Sequence, residues 1–453
     1  MHATTSSSFK ANAKEALADK GLQKALGHIK HGFQVKRAKA IARLPEFWEL
    51  SSQGEAIKNH TLDHLDYYLE AYEQKVLESG GHVHWARTAS DAREAVLKIC
   101  RDVGARKIIK SKSMITEEID LNHYLETDGF EVVETDLGEY IVQLRNERPS
   151  HLIAPAIHVL KEQVADCFKQ AHDHLPPDRP LNERRELLEE ARAVLRNHFL
   201  TADVGITGAN FLVAETGTSV MVTNEGNGDL THTLPSVHIV VTSIEKMTPN
   251  LNDVTTLLRL LARSATGQEI SSYTTFSTGP KRDGDLDGPD EYHVVLLDNG
   301  RSEMLGSSFK EALRCIRCSA CLNHCPVYEA IGGHAYGWVY QGPIGSVLTP
   351  QLIGVKEAGH LPNASSFCGK CEEVCPMNIP LPKMMRYWRD KEFEQHLSVS
   401  LVPRQEGLGT FGSPERDQHP SLGKQRASRQ SEGGGSQNRD HGCETLQLRT
   451  PAG

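Results

Sequence analysis

The chain has 453 residues, 38% of them hydrophobic, which is enough for about two to three packed domains. Its formal net charge of −9 argues against a nucleic-acid partner, which asks for basic faces. No stretch approaches ~18 consecutive apolar residues, so no membrane-spanning helix is expected. The opening MHATTSSSFKANAKEALADK lacks the apolar core of a secretory signal, so it is read as something else.

Residues 1–80 read as an N-terminal helical segment. KEALADKGLQKALGHIKHG and KNHTLDHLDYYLEAYEQKVLESG carry apolar residues at three- and four-residue steps. Between them, VKRAKAIARLPEFWEL reads as a solvated basic face beside a core anchor at Phe47 and Trp48. The rhythm then changes over residues 81–300. HVHWAR reads as a strand, TASDAREAVLKICRDVG as a helix ended by Gly104, and KIIKSK as a strand. MITEEIDLNHYLETDG reads as a helix ended by Gly129, and EVVETD and EYIVQL as strands. Alternating strands and helices predict an α/β fold with a mainly parallel sheet covered on both faces. His82 and His84 form an HxH pair, more often incidental than metal-binding on a strand. Lys110, Ser111, Lys112 and Ser113 follow a strand and precede a helix, where ligands bind in such sheets; a polar surface loop is the plainer reading.

Two amphipathic helices are expected over APAIHVLKEQVADCFKQAHDHL and NERRELLEEARAVLRNHFL. Residues 202–247 then read as short β runs punctuated by glycines. Glu215, in AETGTS, is either a ligand-binding or catalytic acid or a capping carboxylate. LNDVTTLLRLLARSATG reads as a helix, EYHVVLLDNG as a buried strand, and PLPKMMRYWRDKEFEQHL as a late helix. Trp338 and Tyr340 read as shielding residues in a glycine-rich wrap. Residues 397–453 are a low-complexity tail that reads as disordered.

The strongest pattern lies in residues 301–396, read as a small α-helical, two-cluster ferredoxin-like domain. CIRCSACLNHCP spaces Cys315, Cys318, Cys321 and Cys325 as C-x2-C-x2-C-x3-C-P. SSFCGKCEEVCP repeats this with Ser365 in the first place, then Cys368, Cys371 and Cys375. In two-cluster ferredoxins the last cysteine of each run serves the other cluster. The expected grouping is Cys315, Cys318, Cys321 and Cys375 for one 4Fe–4S cluster, and Cys325, Cys368 and Cys371 for the second. The second could be 3Fe–4S, or 4Fe–4S with a serine, water or substrate oxygen on the last iron. A zinc ribbon needs four ligands in two pairs, not seven in two runs. Cys100, Cys167 and Cys443 stand singly; the first two read as small core residues, and a reducing cytoplasm fits the cysteine usage.

GITGANFLVAETGTSVMVTNEGNGDL, CIRCSACLNHCPVY, YGWVYQGPIGSVLTP and LPNASSFCGKCEEVCPMNIPLPKM together resemble the lactate utilization protein B family of bacterial iron–sulfur proteins. The likeness covers most of residues 1 to about 396 and includes the seven-cysteine pattern. It implies that 81–300 is a LUD-type domain of sugar-phosphate isomerase and CoA-transferase-like fold. It implies an electron carrier, not the substrate-oxidising site, in a three-component system taking L-lactate to pyruvate. The implied partners are a cysteine-rich subunit of heterodisulfide-reductase type and a second LUD-domain subunit. Family members continue past the KMMRYW helix with an apolar, basic segment, which the low-complexity tail replaces here. The alternative function is an isomerase- or CoA-transferase-type enzyme in the α/β domain, with Glu215 as nucleophile or base and regulatory or structural clusters.

Overall fold

Ten strands build two sheets in the computed structural model, which describes residues 4–395 apart from His28, together with Leu397. The strands are β1 (His82–Ala86), β2 (Lys107–Lys110), β3 (Glu131–Glu134), β4 (Val204–Thr207) and β5 (Phe211–Val213). Then come β6 (Thr218–Thr223), β7 (Val237–Ser243), β8 (Met247–Thr248), β9 (Tyr273–Ser277) and β10 (Glu291–Leu297). Six of them form a parallel sheet in the order β1-β10-β7-β4-β2-β3. The central β7 and β10 are near-continuous apolar runs, as burial on both faces demands. One face packs on the Ala89–Asp102 and Leu121–Thr127 helices. The far β2 and β3 side packs on the Lys161–Ala171 and Arg184–Thr201 helices.

The smaller sheet runs β8-β5-β6-β9 and is mixed. It is fed directly from the parallel sheet, since β5 follows β4 and β8 follows β7 by a few residues. The carboxyl ends of β2, β4 and β7 lie side by side, with Lys110 opposite Ile206 and Thr207 opposite Val240. Whatever follows those strands is therefore gathered at one edge.

A third apolar cluster is continuous across the molecule. It joins Phe9 and Phe47 of the N-terminal helices to Phe211 and Tyr292 of the sheets, and on to Cys318, Cys321, Cys325 and Trp388. Residues beyond Gly300 contribute helices among the described residues, ending in Leu381–Glu394. The N-terminal helices act as straps across the cysteine runs. Gln34 Nε2 donates to Asn323 O at 2.7 Å, and Arg37 Nη2 to Val374 O at 2.7 Å. Ser51 Oγ donates to Pro376 O at 2.9 Å. Carbonyls buried there would otherwise lack partners.

The expected fold class is found, with local corrections. EYIVQL is not a strand but part of the Leu137–Leu144 helix. Asp136 Oδ1 accepts from the Gly138 and Glu139 amides at 3.0 and 3.2 Å, and this cap outweighs β propensity. MITEEIDLNHYLETDG splits into Met114–Glu118 and Leu121–Thr127, parted by Asp120 at φ 53. Within 202–247 the β reading misses the Asn227–Thr233 helix, whose Thr231 carbonyl would lie 1.8 Å from a Cβ at residue 205. Only glycine fits there. The basic run 35–43 is helical over Val35–Ala42, and Arg37 is buried rather than solvated. Phe47 is fully buried, but its neighbour Trp48 is exposed. The edge strand β9, with a mainly polar sequence, had no expectation attached. The tail reading for 397–453 lies, Leu397 apart, outside the described residues, as does Cys443.

Candidate functional site

The two cysteine runs take the same backbone path. In the first, Arg317 and Ser319 adopt left-handed φ of 60° and 63°. In the second, Phe367 and Gly369 do so at 54° and 79°. Each run thus curls tightly through positions two and four after its start, with Cys318 buried and Cys368 exposed between them. The Arg317 amide donates to Cys315 Sγ at 3.4 Å, and the Phe367 amide donates to Ser365 Oγ at 3.0 Å. Ser365 therefore occupies the place that Cys315 holds in the first run.

The fold brings the distant Cys375 to the first run. Cys315, Cys318, Cys321 and Cys375 line one small cavity of about 20 Å³, with Leu152, Arg317, Ile344 and Ile379 among its other walls. Burial pushes the Cys318 thiol up to about 12, with Cys375 and Cys315 adding to it. Burial and then Cys315, Cys318 and Cys375 hold Cys321 well above the ordinary range. Around the second run, burial and then Cys325 and Cys368 push Cys371 up to about 12. Cys368 is exposed and the other members of that trio are buried. Crowded thiols that resist ionisation on their own are the donor set that a soft cationic metal inverts, because coordination stabilises the thiolate. The cysteines fit an iron–sulfur group on that ground.

Backbone amides complete the donor set. Val327 and Tyr328 amides serve Cys325, and Met377 and Ile379 amides serve Cys375, each just past a Cys-Pro step. Such N–H···S bonds tune cluster potential.

A buried charge network ties the first run to the sheet. Glu245 sits in the Ile244–Lys246 turn after β7. Its Oε2 takes Arg301 Nε at 2.9 Å and its Oε1 takes Arg317 Nη2 at 3.1 Å. Arg301 also meets Glu118 at 2.6 Å, and the Tyr340 hydroxyl donates to the same Glu118 oxygen at 2.7 Å. The Arg317 guanidinium lies 5.3 Å from the Tyr340 ring. Tyr340 thus does more than shield; it links the glycine-rich wrap to the Met114–Glu118 helix.

At the carboxyl edge of that sheet lies a second cavity of about 280 Å³. Ser111, Lys112, Ser113, Asn210, Lys246 and Arg317 are among its walls. Lys110 is not; it is fully buried against Glu134 at 2.6 Å and Glu117 at 3.1 Å. Glu215 is also elsewhere. It is exposed, and its Oε2 accepts from the Leu251 amide at 3.2 Å, so it caps the Leu251–Ala265 helix. His82 stacks on His293 at 5.0 Å, and His84 Nε2 lies 3.1 Å from His293 Nδ1. Those ring nitrogens serve each other. Cys100 and Cys167 are buried core residues as expected. Lys246 and Arg317 were missed from sequence. Their signals were an IEK turn directly after a buried strand and the basic residue inside CIRC.

Residues 69–297 match the LUD domain family, and residues 311–379 match the 4Fe-4S dicluster domain. Lactate utilization protein B of Bacillus velezensis is 44% identical over 407 residues, covering 89% of this chain and 85% of that one. The chain belongs to the lactate utilization protein B family. The Bacillus subtilis member is 44% identical over 406 residues, and the Bacillus licheniformis member 45% over 407. With the dicluster match and the seven gathered cysteines, this family member is an iron–sulfur protein. No helix among its described residues is long and apolar enough to cross a membrane.

Proposed function

We propose that the chain is the iron–sulfur electron-transfer subunit of a bacterial cytoplasmic complex that oxidises L-lactate to pyruvate. The supporting observation is the joining of Cys375, from the second run, to Cys315, Cys318 and Cys321 around one cavity. These four hold the first cluster in this reading, and Cys325, Cys368 and Cys371 hold the second. Bound clusters supply one-electron steps at a potential set by their surroundings. The chain's own residues position and insulate: the N-terminal straps fix both runs, and the amides after each Cys-Pro step bond sulfur. Exposed Cys368 makes the second site the one open toward a partner.

In this reading 1–80 is the strapping segment, 81–300 the LUD-type domain and 301–396 the cluster-bearing part. The partners are a cysteine-rich heterodisulfide-reductase-type subunit and a second LUD-domain subunit. Glu215 caps a helix outside the cavity, so the rival isomerase or transferase reading loses the residue it rests on. The test is anaerobic purification with iron and sulfide counting, then EPR on adding L-lactate with the partner subunits. Two reducible centres are expected. A reconstituted protein without iron, or centres that lactate never reduces in the full complex, would sink the reading.

A further inference from the structure

Three cations, Lys112, Lys246 and Arg317, line the 280 Å³ cavity against two carboxylates, Asp136 and Glu225. Lys112 Nζ is buried without a hydrogen-bond partner, and its nearest carboxylate, Glu139, is 3.9 Å away. Lys246 is 6% exposed and makes no hydrogen bond or ion pair among the described residues. The adjacent Glu245 is already committed to Arg301 and Arg317. Arg317 is 8% exposed; its Nη2 serves Glu245, while Nε and Nη1 are buried and unpartnered. Buried donors of a cation left without partners are costly unless something negative meets them.

The remaining walls restrict what that is. Asp136 and Glu225 also face the cavity, which disfavours a multiply charged anion. Asn227 Oδ1 is buried without a donor, so a hydroxyl on the ligand has an acceptor there. Met221 and Leu261 supply apolar surface that inorganic phosphate would not use. Arg317 and Leu152 line both this cavity and the one bounded by Cys315, Cys318, Cys321 and Cys375. A ligand seated here is therefore one side-chain layer from the first cysteine site.

We propose that this cavity binds a small monocarboxylate bearing a hydroxyl, of the 2-hydroxy acid class, through Lys112, Lys246 and Arg317. Binding stands on the cavity alone; its proximity to a redox centre rests on the electron-transfer reading.

The test is anaerobic calorimetry on the full, iron-loaded chain with L-lactate, acetate and inorganic phosphate as separate probes, and iron counting on the same sample. L-lactate should bind more tightly than acetate or phosphate. Lys246→Met and, at the more open rim, Lys112→Ala should each weaken it about tenfold or more with iron content unchanged. Full iron without L-lactate binding, equal binding in both variants, or tighter phosphate binding would each overturn the proposal. L-lactate binding by a chain that takes up no iron would support the cavity while overturning the cluster reading.

Discussion

Arg317 Nη2 and Glu245 Oε1 meet at 3.1 Å, both residues being buried. One belongs to the first cysteine run and the other to the turn after β7, so this pair fixes the cysteine site against the sheet edge. Arg301 closes the network by meeting both Glu245 and Glu118.

Removing Glu245 should leave two buried guanidinium groups short of a counter-charge. Breaking such a pair from one side costs about 3 kcal/mol or more. Glu245→Gln is therefore expected to lower the urea midpoint by that equivalent. It should also reduce the iron retained, since Arg317 lies between Cys315 and Cys318. Unchanged stability and iron content would show that the network does not position the run.

Ser365 gives a second prediction. Its hydroxyl accepts the Phe367 amide as Cys315 sulfur accepts the Arg317 amide. Ser365→Cys should place a thiolate at the missing corner of the second site and slow iron loss in air. Ser365→Ala should leave the iron content unaltered if water or another oxygen fills that corner, because serine is a poor partner for iron beside thiolates. EPR and iron counts on both variants decide it. A Ser365→Cys centre indistinguishable from the parent in spectrum and lifetime would rule out the equivalence.

Much of this arrangement was legible in the sequence because its signals are local. The C-x2-C-x2-C-x3-C-P runs fix their own turns, and apolar periodicity finds β7, β10 and the Leu251–Ala265 helix. What escaped depends on contacts between distant segments. The Arg37 side chain reads as solvated until the fold places Val374 O 2.7 Å from it. Lys246 gains its setting only when the carboxyl ends of β2, β4 and β7 are brought together. Glu215 looked chemical because it sits among glycines and threonines, yet a helix 36 residues later claims its carboxylate. The Leu137–Leu144 helix was lost for a different reason: EYIVQL is β-prone, and one aspartate cap reverses the outcome.

Gly205 supplies a prediction on packing. A Cβ there would sit 1.8 Å from the Thr231 carbonyl oxygen, which is backbone and cannot swing away. Gly205→Ala should force β4 and the Asn227–Thr233 helix apart at a cost of about 3 kcal/mol. Thermal or urea unfolding measures it. A loss below about 1 kcal/mol would mean that the helix yields freely.

The histidine ladder on β1 and β10 predicts a pH dependence remote from the cysteines. Burial, then His293 and His82, lowers His84 from its ordinary 6.5 to about 4. A lowered pKa means that the folded chain binds this proton less tightly than the unfolded chain. Between 6.5 and about 4 the unfolded state therefore holds more protons, and stability falls as pH drops through that window. At about pH 5.5 the loss from His84 amounts to about 1 kcal/mol after allowance for its partial exposure. Urea unfolding at about pH 7.5 and about pH 5.5 should show that difference in the parent chain and a smaller one in His84→Gln. The same fall in both proteins would assign the dependence to other groups and leave the ladder with no part in it.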